Sequence, residues 1–359
     1  MKRLENNLKS LLKEGTVIPA HPLCLDENRQ FDEENQRLLT QYYLQSGAGG
    51  IAVGVHSTQF EIRRPEHNLL ETVLRVSADE VEQSELSRPF VKIAGICGPV
   101  EQAIDEAHLA VSLGYDMGLL SMGGLQGLTE EQILNRTREV AKIIPVFGFY
   151  LQPSVGGRIF TYDFWSKFVE IDNVEAIKCA PFNRYQTLDV VRALAYSSKR
   201  DQIALYTGND DTIVQDLLSI YRFNVQGEEV EIEFSGGLLG HWAVWTSRAV
   251  ELLDKVRAYK NNPNPELWRA LQILSNQTTD ANAVLFDAAN SFQGCIPGIH
   301  EALRRQGLMK NILCLNPNEI LSTGQYDELS RIHKAYPELT DNEFVQGFLA
   351  IAQGRQAVG

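Results

Sequence analysis

Pro145-Val-Phe-Gly-Phe-Tyr150 and Val174-Glu-Ala-Ile-Lys178 are two short apolar runs, one ending in a phenol and the other in an amine. Runs of this length and composition predict buried β-strands. If the two strands are parallel neighbours, they deliver Tyr150 and Lys178 side by side at one end of a sheet. A lysine becomes a nucleophile only when its ammonium is disfavoured, and an apolar strand end supplies the desolvation that lowers its pKa from about 10.4. Taken alone, Lys178 reads as a surface lysine just past a strand and Tyr150 as a core aromatic with a satisfied hydroxyl. The joint arrangement changes that reading where the fold makes the two strands neighbours.

Outward from these two runs, strand candidates span residues 16–20, 49–55, 90–97, 116–122, 145–151, 174–179, 202–208 and 229–236, which makes eight. Helical patterns alternate with them. Pro65-Glu-His67 is expected to open the helix after the second strand, Thr129-Glu-Glu-Gln132 reads as a capping box, and Gly208-Asn-Asp-Asp211 opens the helix after the seventh strand. Eight such units with near-continuous apolar strands predict a (β/α)8 TIM barrel. An open doubly wound sheet is the rival, but it would carry a glycine-rich turn after its first strand, where this chain has His21-Pro22-Leu23.

Leu4, Leu8, Leu11 and Leu12 lie at helical spacing and predict an N-terminal helix plugging the N-terminal end of the barrel. From about Pro263 the chain reads as an enlarged C-terminal helical extension, with Thr340-Asp-Asn-Glu343 as a second capping box. The expected division is therefore a barrel with its N-terminal helix over 1–258 and a helical region over 259–359. Pattern alone leaves open whether those helices stand apart or pack on the barrel.

The chain has 359 residues, 44% hydrophobic and 22% charged, so it can bury a large core. Its net charge of −13 and lack of a basic stripe disfavour a nucleic-acid or anionic-membrane partner. No signal-peptide core and no apolar run of about 18 residues is present, which predicts a cytoplasmic protein. Cysteines at 24, 97, 179, 295 and 314 show no paired spacing, so a structural zinc site is not expected. Cys179 follows Lys178 and should point to the opposite face, toward the helices.

Active sites of such barrels lie at the C-terminal strand ends. There the candidates are His21, then His56-Ser57-Thr58, Tyr150, Lys178, Thr207-Gly208-Asn209 and Ser235-Gly236-Gly237, with few carboxylates among them. Paired acids for glycoside hydrolysis and acidic ligands for magnesium are absent, and Glu231 and Glu233 are expected to face away or be paired. A metal held by His21 and His56 would lack acidic partners, so neither a metal nor a cofactor is expected. What remains is imine chemistry. Lys178 would attack a 2-oxo group, Tyr150 would shuttle protons, and Ser57, Thr58 and the backbone around Val55 and His56 would hold the acid's carboxylate. His21 joins these substrate-binding candidates, and Gly208 would allow close approach of the chain.

The arrangement resembles the dihydrodipicolinate synthase and N-acetylneuraminate lyase superfamily of class I aldolases. The segments that carry the resemblance are Gly15-Thr-Val-Ile-Pro-Ala20, Gly54-Val-His-Ser-Thr-Gln59, Tyr150-Leu-Gln-Pro153, Ile177-Lys178 and Thr207-Gly208-Asn209-Asp210. The interval 178 − 150 = 28 matches that between the family's tyrosine and its imine lysine. The resemblance implies a pyruvate-type donor bound to Lys178, Tyr150 as proton relay, and a homotetramer built as a dimer of dimers. Three departures bear on the substrate. Val55 replaces a threonine of the relay, Leu119-Leu120-Ser121-Met122 lacks the synthases' tyrosine pair, and Val155 stands where they place an arginine, with Arg158 nearby. The expectation is a Schiff-base lyase or aldolase acting on pyruvate or another 2-oxo acid, other than dihydrodipicolinate synthase itself. A sugar-acid or hydroxy-oxo-acid dehydratase and a catalytically silent 2-oxo-acid-binding barrel are the alternatives.

Overall fold

A computed structural model describes residues 1–356. Ten strands occur among them: β1 (Val17–Pro19), β2 (Gly50–Val53), β3 (Val91–Ile96), β4 (Met117–Leu120), β5 (Val146–Leu151), β6 (Val174–Ala180), β7 (Ala204–Thr207), β8 (Ile220–Val225), β9 (Glu228–Glu233) and β10 (Gly236–Leu239). Eight of them form one sheet in the order β1-β10-β7-β6-β5-β4-β3-β2. A parallel bridge between Ala20 and Ala52 links the ends of β1 and β2, the two outer members of that order. The fold is a (β/α)8 barrel with a C-terminal helical extension. Every residue of these eight strands is buried, as expected where helices cover one face and side chains fill the other.

The chain divides into two compact units. The first comprises Met1–Thr16 and Val91–Leu238. Its N-terminal helix, Asn6–Glu14, buries Leu8 and Leu12. The preceding residues meet the entries of the strands: Lys2 N–H donates to Ile143 O and the Lys2 side chain to Tyr115 O, while Asn173 Nδ2 donates to Lys2 O. Tyr206 of β7 donates its hydroxyl proton to Leu12 O at 3.2 Å, so the helix does sit at the N-terminal end of the strands.

The eighth barrel strand differs from the expected 229–236. β8 and β9 form an antiparallel hairpin outside the barrel sheet, closed by Gln226 and Gly227 at φ 54° and 93°. Two consecutive positive φ values suit a two-residue hairpin turn. The physical reason is periodicity: Val230 and Ile232 are buried while Glu229 and Glu231 are exposed, the pattern of a strand with one wet face. The barrel strand is instead β10, only Gly-Gly-Leu-Leu. Glycine is needed at 236 because a Cβ there would lie 2.4 Å from Thr16 O. Glu231 is paired with Arg222 on the hairpin, away from any strand end of the barrel.

The second unit comprises Val17–Phe90 and Leu239–Gly359. After β2 the chain makes two 3-10 turns, His56–Thr58 and Phe60–Arg63, and the next helix begins at Leu70. Pro65–His67 is thus a turn before the helix and does not open it. The capping box at Thr129 forms in the first unit, with Gln132 N–H on Thr129 Oγ1 at 3.2 Å and Thr129 N–H on Gln132 Oε1 at 2.8 Å. Its expected counterpart at Thr340 does not form. Thr340 donates to Pro337 O, and the last helix starts at Asn342. No helix among the described residues is long and apolar enough to cross a membrane.

Candidate active site

Strand register decides which side chains meet. β5 and β6 set Phe149 opposite Lys178 and Tyr150 opposite Cys179, and β6 and β7 set Lys178 opposite Tyr206 and Cys179 opposite Thr207. Paired residues of parallel strands point to the same face, so Phe149, Lys178 and Tyr206 form one set and Tyr150, Cys179 and Thr207 the other. Gly148 identifies the faces. It shares its face with Tyr150, and a Cβ there would lie 2.7 Å from the Phe168 ring, in the helix Tyr162–Phe168. Tyr150 and Cys179 therefore turn to the helices, and Lys178 turns to the barrel interior.

Lys178 is only 8% exposed. Its Nζ lies 4.5 Å from the centroid of the Phe149 ring, a cation–π contact. Gly208 leaves the room it occupies, since a Cβ at 208 would lie 2.4 Å from Lys178 Cε. Burial lowers the Lys178 pKa to about 8, with the Asp210 carboxylate acting in the opposite sense.

The register does not bring the Tyr150 ring to the face that carries this amine. The Tyr150 hydroxyl accepts the Phe160 N–H at 3.2 Å, and its ring packs on Phe160 and Trp165. Burial pushes its pKa up to about 12. The cause is an irregularity in the β5–β6 ladder between Val146 and Phe147, which advances one strand and changes which residue shares a face with Lys178.

At the end of β7 the outer face holds a buried network. Thr207 Oγ1 and Asn209 Nδ2 donate to Asp216 Oδ2 at 2.7 and 2.8 Å, and Arg184 pairs with the same carboxylate. Asn209 Oδ1 also accepts the Phe182 N–H. These bonds fix the segment that carries Gly208 and Asp210. Arg158 donates to Leu128 O and packs on Phe160, so it holds the loop and its neighbours.

The candidates of the second unit are bound into their own surroundings. His21 is fully buried, with Nδ1 2.8 Å from Pro22 O and Nε2 2.9 Å from Thr40 Oγ1, and burial lowers its pKa to about 4. Both of its ring nitrogens have protein partners, and burial favours its neutral form. Ser57 donates to Ala20 O at 2.8 Å and Thr58 to His21 O at 2.7 Å, while Thr58 Oγ1 accepts from the amides of Gly54 and Val55. Both hydroxyl protons expected to hold a carboxylate are thus committed to the backbone. Val55 is buried, and His56 is half-buried with its ring 5.9 Å from that of Phe60.

Sequence reading missed two residues here. Phe149 was hidden by the ladder irregularity, and Asp210 was visible in Thr207-Gly208-Asn209-Asp210 as a carboxylate just past a strand end. Among the described residues no group of three or more His, Cys, Asp or Glu side chains is arranged to hold a metal ion.

No protein-family model matches the chain, and no curated protein matches it in sequence. Solved structures do. A dihydrodipicolinate synthase from Oceanobacillus iheyensis is similar at a TM-score of 0.71 and 16% identity, over 92% of this chain and 99% of that one. The chain has the fold of the dihydrodipicolinate synthases and N-acetylneuraminate lyases. YagE of E. coli K12, described as a prophage protein of the dihydrodipicolinic acid synthase family in complex with pyruvate, is similar at a TM-score of 0.70 and 15% identity, over 90% and 97%. N-acetylneuraminate lyase from Fusobacterium nucleatum complexed with pyruvate is similar at 0.68 and 13%, over 92% and 99%. In this synthase and lyase fold, Lys178 stands on the sixth strand of the barrel.

Proposed function

We propose that the protein is a Schiff-base lyase or aldolase acting on pyruvate or a related 2-oxo acid, with the imine formed on Lys178. The observation that carries this reading is a buried, interior-facing lysine whose pKa falls to about 8. At pH 7 such a group is neutral in about one molecule in ten, against about one in 2,500 at the ordinary pKa of 10.4. The neutral amine attacks the 2-oxo carbon to give a carbinolamine, which takes up a proton and loses water to form an iminium ion. The Phe149 ring face, already on the Lys178 cation, suits that positive charge. Asp210 is the carboxylate that acts on Lys178, so it is assigned the proton transfers that the resemblance gives to Tyr150. The shared fold of two proteins solved with pyruvate supports the donor class.

Borohydride with pyruvate tests this. The expected result is irreversible addition of a carboxyethyl group to Lys178, found by peptide mass mapping and lost in Lys178→Ala. Failure to trap pyruvate or any other 2-oxo acid overturns the reading. The loop after β5 favours a partner without an acidic group, because Val155 offers no charge and Arg158 is engaged on Leu128 O. Dehydration of a sugar acid or hydroxy-oxo acid through the same imine is the second reading. Product analysis separates them, since dehydration keeps the carbon skeleton and aldol cleavage releases pyruvate. Trapping without turnover across a broad panel would leave a 2-oxo-acid-binding barrel. The homotetramer rests on the resemblance alone, and sedimentation velocity tests it.

A further inference from the structure

The β8–β9 hairpin stands outside the barrel sheet, yet it is tied to the turn that packs on Lys178. Arg184, the first residue of the helix Arg184–Ala195, donates from Nη2 to the Tyr221 hydroxyl of β8 at 2.7 Å and pairs through Nη1 with Asp216. Asp216 lies on the short helix Ile213–Leu218 and accepts from Thr207 and Asn209, the residues on either side of Gly208, at 2.7 and 2.8 Å. Thr207 Oγ1 also accepts the Asn209 N–H at 3.2 Å, which closes the turn around the glycine. A Cβ added to Gly208 would lie 2.4 Å from Lys178 Cε and 2.9 Å from Cγ, so the turn and the lysine are in contact. All of these residues belong to the first unit.

Asp216 is fully buried, where a carboxylate is costly. Burial raises its pKa, and Arg184 is the largest influence that lowers it. The other ionisable groups on which its charge acts are Cys179 of β6, Asp211 of the turn and Tyr221 of the hairpin, each an acid, so they bring no positive charge to it. A buried carboxylate that loses its cation is driven toward the protonated form. The bonds from Thr207 and Asn209 then forfeit their charge-assisted strength.

We propose that Arg184 is a positioning residue of the Lys178 site: by holding Asp216 as the carboxylate it keeps Thr207 and Asn209 bonded and the Gly208–Asp210 turn against the lysine, and Tyr221 of the hairpin holds Arg184 in place. The inference takes from the proposed function only that Lys178 is the reacting amine.

Removing Arg184 has two consequences of opposite sign at Lys178. Loss of a positive charge by itself raises the midpoint of the lysine's titration. Loosening of the turn carries away Asp210, which supports the ammonium, and lowers that midpoint.

Competitive acetylation of the full chain with acetic anhydride across pH, read on the Lys178 peptide by mass spectrometry, gives the midpoint without any 2-oxo acid. Arg184→Ala is expected to lower it by about half a unit or more. Arg184→Lys, which keeps a cation beside Asp216, should recover most of that shift. Tyr221→Phe, which removes only the bond from Arg184, should shift the midpoint in the same direction by less. A role in stability alone would lower the urea midpoint and leave Lys178 where it was, so an unmoved or raised lysine midpoint in folded Arg184→Ala overturns the proposal. Should that variant not fold, an unmoved or raised midpoint in Tyr221→Phe overturns it. A wild-type chain that fails to trap pyruvate overturns the proposed function instead, and leaves these midpoints to decide the role of Arg184.

Discussion

Phe149 presents its ring 4.5 Å from the Lys178 amine, while Tyr150, one residue on, accepts a hydrogen bond from Phe160 N–H in the helix layer. One step along a strand reverses the face, so these neighbours take opposite roles. Phe149 faces the Lys178 amine and Tyr150 faces the helix layer.

The Phe149 ring favours the charged form of Lys178. Phe149→Leu keeps the site apolar and removes the ring face, so the Lys178 pKa should fall further. A desolvated cation–π contact of about 1–2 kcal/mol corresponds to a shift of about one unit. The midpoint of the pH profile for borohydride trapping of pyruvate reads it, and an upward shift or none would count against the contact.

Tyr150→Phe and Asp210→Asn should separate the two candidates for proton transfer. Tyr150→Phe loses the acceptor of a buried amide and should cost about 1–3 kcal/mol of stability, with turnover nearly unchanged. Asp210→Asn should reduce turnover about 100-fold or more. Because Asp210 holds the Lys178 pKa up, the same substitution should move the midpoint of the trapping pH profile down. A Tyr150→Phe variant that folds well but does not turn over would restore the tyrosine relay.

Gly208→Ala introduces a methyl group where Lys178 Cε already stands, at 2.4 Å. Either the lysine or the strand end must move. The expected cost is about 1–3 kcal/mol of stability, as for other overpacked sites, together with loss of most trapping. Normal trapping in this variant would show that Lys178 does not need the place it occupies.

His21, His241 and His300 are each lowered by burial from 6.5 to about 4. Between those values the unfolded chain binds protons that the folded chain refuses, so stability is complete above pH 6.5 and is lost as pH falls toward 4. Each histidine withdraws up to about 3 kcal/mol over that window. Urea midpoints measured from pH 7 to 4.5 should fall steeply, and His300→Gln should flatten the slope by one proton. A flat profile would contradict the burial of these three rings in the neutral form.

The resemblance and the apolar runs identified the barrel and the N-terminal helix, because each depends on local composition: continuous apolar strands and leucines at helical spacing. The expected 229–236 strand failed for the same local reason. Glu229, Glu231 and Glu233 alternate with apolar residues, which suits a hairpin with one wet face, and the true strand, Gly236–Leu239, is too short to stand out.

The sequence by itself determined that Lys178 ends an apolar strand and that Gly208 and Asp210 follow another. Only the tertiary structure decided that Lys178 meets Phe149 rather than Tyr150, that His21 is spent on Pro22 and Thr40, and that Ser57 and Thr58 donate to the carbonyls of Ala20 and His21. The reason is that a strand's own residues fix its alternation but not its register. One irregularity at Val146 and Phe147 sets which face meets which across the ladder, and hydrogen-bond commitments of buried side chains depend on partners distant in sequence.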